Sequence, residues 1–132
     1  MAHANLANEV QEIITGNDNV VICKVLMTVR GGRTLDVTDY PKDIINAGHV
    51  IIRETSTKEY KPMPLNTAGT AYADLPAGHT YAGILIGTIL TKRPFAGILV
   101  SGQVNHAAAP FPMSSILTAV KTALPLIDFR ED

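Results

Sequence analysis

The sequence predicts a mainly β fold: a β-barrel or sandwich-like domain of six to eight short strands, with one or two short helices. Three observations point there. Short runs rich in Val, Ile, Leu and Thr recur along the chain, most clearly at 19–29, 49–53, 81–90 and 95–104. Gly, Pro, Asn and Asp cluster between those runs, where turns belong. Only 5–15 and 112–124 repeat their apolar residues with a helical period.

In 5–15, Leu6, Val10, Ile13 and Ile14 fall on one helical face, with Asn5 as N-cap and Gly16 as stop. So short a helix is marginal alone because its first turn is costly to nucleate. It needs a surface to dock on, in this domain or in a partner. The polar stretch Gly16-Asn17-Asp18-Asn19 divides the chain into a helical or arm segment, 1–18, and a β-rich domain, 19–132. Residues 19–29 read as a strand that buries Cys23 as an inert thiol. Gly31-Gly32 then suits a tight hairpin turn toward Thr34–Val37, since the favoured turns need positive φ.

Residues 38–48 read as a loop with room for one helical turn at 42–46. His49–Arg53 is a strand, 55–58 a turn, and Glu59–Met63 a returning strand. Pro62 and Pro64 mark that return as an edge or as the end of pairing. The polar loop 64–80 is longer than most connections, which suggests an outer surface or an interface. Tyr81–Leu90 and Phe95–Val104 read as the arms of a buried hairpin about Thr91-Lys92-Arg93-Pro94. In 112–124, Met113, Ile116, Leu117, Val120 and Leu124 form a helical stripe. Pro112 fits the first helical position and Pro125 the stop. Leu126–Phe129 closes the chain as a last strand before a solvated tail.

At 132 residues the chain fits one domain with a real core. Its charged fraction, 17 %, is below the usual quarter, which suggests that partner subunits cover part of the surface. A net charge of −1 offers no basic excess for phosphates, so nucleic acid is not an expected partner. No run approaches the ~20 apolar residues of a membrane span, and Met1–Asn5 does not open a secretory signal. Cys23 is the one cysteine, so no internal disulfide forms.

Signatures of chemistry are missing. His3, His49, His79 and His106 lack metal-ligand spacing, so no metal or other cofactor is expected. His49 and His79 share an Ala-Gly-His context and read as turn residues entering strands. Asp36 and Asp39 suit a turn at a strand end. Ser101 lacks the preceding glycine of a nucleophile elbow, and no phosphate loop occurs. Arg30-Gly31-Gly32-Arg33 offers an anion site in principle, but a hairpin turn with solvated arginines explains it better. The chain is therefore not expected to be an enzyme.

One ordered set of segments is more specific. It begins with Ala47-Gly48-His49-Val50-Ile51 and Tyr60-Lys61-Pro62-Met63-Pro64. Tyr81-Ala82-Gly83-Ile84-Leu85 and Ala96-Gly97-Ile98-Leu99-Val100-Ser101-Gly102-Gln103-Val104-Asn105 follow. A proline-started helix and Leu126-Ile127-Asp128-Phe129 end it. In this order, over about two-thirds of the chain, the sequence resembles tailed-phage head-decoration and head-fibre proteins, including the lambda-type decoration family. The resemblance implies a β-rich viral structural protein. Such a subunit binds the outer surface of a capsid as a homotrimer, at three-fold and quasi-three-fold positions, and reinforces the head. It also implies contact between an N-terminal segment and the major capsid protein. Leu6, Val10, Ile13 and Ile14 are then the candidate contacts to the capsid or a neighbouring subunit. The expected location is the virion's outer surface, after assembly in the bacterial cytoplasm. A small oligomeric enzyme, or a ligand-binding β-barrel with an inter-subunit site, is the alternative.

Overall fold

A computed structural model describes residues 18–131. The expected helix carrying Leu6, Val10, Ile13 and Ile14 lies outside the described residues. Asp18–Val21 form a single helical turn, α1, and the first strand, β1, follows at Ile22–Thr28. Next come β2 (Arg33–Thr34), β3 (Ile44–Ile45), β4 (Val50–Glu54) and β5 (Tyr60–Pro62). After the long loop come β6 (His79–Leu85), β7 (Ile89–Leu90), β8 (Phe95–Ala96) and β9 (Ile98–Asn105). A 3₁₀ turn at His106–Ala108, the helix α2 (Leu117–Ala123) and β10 (Ile127–Arg130) complete the order. The protein is mainly β, as the sequence predicts.

Six strands build the main sheet, in the order β1-β9-β6-β4-β5, with β10 pairing β9 in parallel. The ladders β2–β8 and β3–β7 lie apart from it. Successive strand residues point to opposite faces. Val50, Ile52, Ile84 and Leu99 enter one core cluster, with Met63, Tyr72, Met113 and Val120. Their sequence neighbours Ile51, Leu85 and Ile98 enter a second, with Leu35, Ile45 and Ala96. The arrangement is layered like a sandwich. α2 and the loop after β5 cover one face, and the two small ladders cover the other. Burial on both faces explains why Val50–Ile52 in β4, Ile84–Leu85 in β6 and Ile98–Leu99 in β9 are consecutive apolar residues rather than alternating ones. Each such buried side chain stabilises the fold by roughly 1.5–3 kcal/mol.

Several local expectations are corrected. No hairpin joins β1 to β2. Val29 donates to the Ile98 carbonyl at 2.9 Å, while Arg33 and Thr34 pair with Ala96 and Phe95. β1 and β2 therefore run along one continuous neighbour, β9 then β8, and Gly31-Gly32 loop outward between them. Both glycines have positive φ, and a side chain on Gly32 would press on the Ala96 carbonyl oxygen at 2.8 Å. The turn chemistry is as predicted, but its strands have another partner. Residues 44–45 pair with β7 instead of forming a helical turn, because β-branched Ile44 and Ile45 find a neighbour strand. In the 81–104 hairpin the arms pair at Ile84↔Leu99 and Leu85↔Ile98 and the tip closes at Leu90↔Arg93, while the stretches between diverge to form β7 and β8. α2 starts at Leu117, five residues after Pro112, and it follows a turn closed by Ile116 N–H to the Met113 carbonyl at 3.0 Å. The stripe still points inward at Met113, Ile116, Val120 and Leu124. Pro62 lies in β5, the outermost strand opposite β1, as an edge proline should.

Candidate interaction surface

β1 is the most unusual surface of the described residues. It lies at the end of the main sheet, with β9 as its single neighbour. After Ile22 every residue of the strand is exposed. Val25, Leu26 and Met27 are 45 %, 61 % and 62 % exposed, and Val20 just before the strand is 52 % exposed. Three register shifts against β9 bend the strand and break its ladder. Gly102 stands opposite Val25 with φ +154°, and a side chain there would collide with the Lys24 carbonyl oxygen. The glycine is what lets β1 lie so close. Cys23 is exposed, which corrects its expected burial. An apolar run suggests cover, but among the described residues no layer reaches the strand on either face. Lys24, in mid-run, is the one residue that hints at an open edge.

A second feature is a cleft of about 230 Å³, lined by Asp36, Asp39, Tyr40, Lys61 and His79 over a proline-rich floor. The two aspartates that the sequence places at a turn thus meet at one opening. The Asp36 carboxylate accepts from the Thr38 hydroxyl and backbone N–H, and these bonds hold its pKa below the usual carboxylate range. Lys61 pairs with Glu54 at 3.4 Å. His79 Nδ1 donates to the Ala77 carbonyl at 3.0 Å. Burial pushes the Tyr40 hydroxyl up to about 12, so it stays protonated near neutrality. Asp36, Lys61 and His79 thus serve turns and neighbouring side chains.

His49 is fully buried behind Tyr40, a residue of that cleft's wall. Its Nε2–H donates to the Met63 carbonyl at 2.9 Å, and Tyr40, Tyr72 and Phe111 stand edge-on around the ring at 5.1–5.7 Å. Burial pushes its pKa down to about 4, so the ring is neutral near pH 7. Neighbouring Tyr72 accepts from the Val50 N–H at 3.1 Å. Together they tie the long loop after β5 to β4. His49 and His79 thus share a sequence context without sharing a site, and sequence reading missed His49 as a core element. Its apolar successors Val50-Ile51-Ile52 were the available signal.

The remaining candidates are placed as follows. Arg33 Nη1 donates to the Arg30 and Gly32 carbonyls at 3.0 and 2.8 Å, so its guanidinium braces the glycine loop. Ser101 is buried in β9. His106 pairs with Glu131 at 3.6 Å. Among the described residues no three His, Cys, Asp or Glu side chains gather in a way that could hold a metal ion. No helix among them is long and apolar enough to cross a membrane. Leu6, Val10, Ile13 and Ile14 lie outside the described residues. No family model matches the chain, and neither a curated protein nor a solved structure matches it.

Proposed function

We propose that this chain is a viral structural protein, a capsid decoration or head-fibre subunit of a tailed phage. As a homotrimer it binds the major capsid protein on the outer surface of the head and stabilises it. It acts without catalysis or cofactor, and it needs no nucleic acid or membrane. It assembles in the bacterial cytoplasm and ends on the virion. The observation that carries this reading is β1, a largely uncharged strand with its apolar side chains exposed. Contiguous exposed apolar surface marks an interaction site, and a long open edge is a liability unless something covers it. The segments that resemble decoration proteins supply β4, β6, β9 and β10, the heart of the main sheet. Asp36, Lys61 and His79 of the cleft are engaged in turns and local pairs, which suits a scaffold.

The test is to mix purified protein with undecorated heads assembled from the major capsid protein of the same genome, and then to sediment them. Cosedimentation that saturates at a fixed ratio to the capsid subunit supports the proposal. Protein left wholly in the supernatant overturns it. The cleft at Asp36, Asp39, Lys61 and His79 favours the second reading, a ligand-binding barrel or small oligomeric enzyme. That reading gains if a small molecule copurifies with a protein that ignores heads.

A further inference from the structure

We infer that copies of this chain associate head to tail, with the β1 edge of one docking on the outer face of β10 of the next. This rests on the reading of the chain as a self-associating subunit, and it names the two surfaces involved. The first is the exposed edge Val20–Thr28. Its Val20, Val25, Leu26 and Met27 side chains are each about half exposed or more, the apolar kind of surface that a partner covers. The register shifts along β1 interrupt its hydrogen-bonding edge, so side-chain packing rather than a longer ladder makes the contact.

Charge selects the occupant. From 19 to 35 the chain carries Lys24, Arg30 and Arg33 and no acid. A two-fold contact of β1 with itself would bring Lys24 of one copy toward Lys24 of the other with no acid in the strand to offset it, which is repulsive. The other end of the chain has the complementary character. Ile127 and Phe129 of β10 face the core, while Asp128 and Arg130 face outward. Leu126 beside them is 65 % exposed, and Glu131 follows. From 126 to 131 there are two acids, Asp128 and Glu131, and one cation, Arg130. Asp128 pairs with Arg130 on the same strand, but exposed pairs contribute little and exchange readily. β1 and β10 flank β9 from opposite sides, since β10 shares its side with β6. One copy can therefore use both surfaces at once. Such a heterologous contact forms a ring if its rotation closes, and a homotrimer is the ring of three.

Cys23, exposed on β1, provides a natural reporter. In Leu126→Cys each contact would set Cys23 near the new thiol of the next copy. A short bismaleimide added to this variant should give a covalent ladder that ends at three chains on a denaturing gel. Wild type, and Leu126→Cys combined with Cys23→Ser, should give none. Lys24→Glu and Asp128→Lys should each weaken association at least tenfold by light scattering, and the double reversal should restore most of it. A trimer that yields no ladder and ignores both charge changes overturns the inference. So does a wild-type Cys23–Cys23 dimer, which would reveal two-fold pairing. So does a monomer in which Cys23 resists maleimide, which would show that residues 1–17 of the same chain cover β1. A trimer that ladders as expected but fails to bind heads leaves this contact standing and removes the capsid role.

Discussion

At the scale of single residues, His49 makes stability depend on pH. The folded ring keeps one N–H on Met63, and its Nδ1 has no hydrogen-bond partner. A second proton would be buried among aromatic edges, which is why the folded pKa falls to about 4 from the ordinary 6.5. Between those values the unfolded chain binds a proton that the folded chain refuses. This contribution is therefore complete above pH 6.5 and is lost as pH drops toward 4, a change of roughly 3 kcal/mol. Urea midpoints should decline across that window, and His49→Gln, weaker at pH 7, should decline less. A wild-type midpoint that stays flat from pH 7 to 4.5 would contradict the burial argument. Gly102 is the second sensitive residue. Gly102→Ala should cost about 2–4 kcal/mol, because its Cβ must push the Lys24 carbonyl away. Calorimetry checks this, and an unchanged melting temperature would mean that β1 yields freely.

At the scale of elements, α2 shows what sequence can and cannot locate. Its apolar stripe was legible, since the spacing of Met113, Ile116, Val120 and Leu124 is a property of the chain itself. Its start was not, because the turn at 113–116 satisfies the same spacing without continuous helix. Val120 is fully buried, so Val120→Asp should cost at least about 3 kcal/mol by burying an unpaired charge. Chemical denaturation checks it, and a wild-type midpoint would displace α2 from the core. Leu117 is the weaker probe, because it is only partly buried. The Gly31-Gly32 loop carries the same lesson. Local φ demands were readable, but the partner of β1 lies some 75 residues away in β9, and nothing near the glycines encodes it. β1 was readable as a strand and not as an exposed one, for burial depends on layers that other segments supply.

At the scale of the whole molecule, the mainly β class was legible because Val50–Ile52, Ile84–Leu85 and Ile98–Leu99 put apolar side chains on both faces of the sheet, which a layered structure buries. The parallel pairing of β10 with β9 and the two outlying ladders are long-range outcomes without a local signature. The cleft was partly legible, in Asp36 and Asp39, but Lys61 and His79 join them only through the fold. Asp18, placed in the N-terminal segment by the sequence, accepts from the Thr88 N–H and hydroxyl at 3.0 and 2.7 Å and so is anchored to the β-rich domain. A chain lacking residues 1–17 keeps that bond and should melt close to full length. If Leu6, Val10, Ile13 and Ile14 reach the capsid, it should bind heads far more weakly. Scanning calorimetry and sedimentation with heads check the two halves, and a truncated chain that binds heads normally would remove the capsid role of those residues. The central claim is decoration itself, and a density map of heads incubated with the protein tests it most directly. The account predicts added density on the outer surface, grouped in threes at three-fold and quasi-three-fold positions and fitted by the layered β domain. A bare outer surface at saturating protein would contradict it.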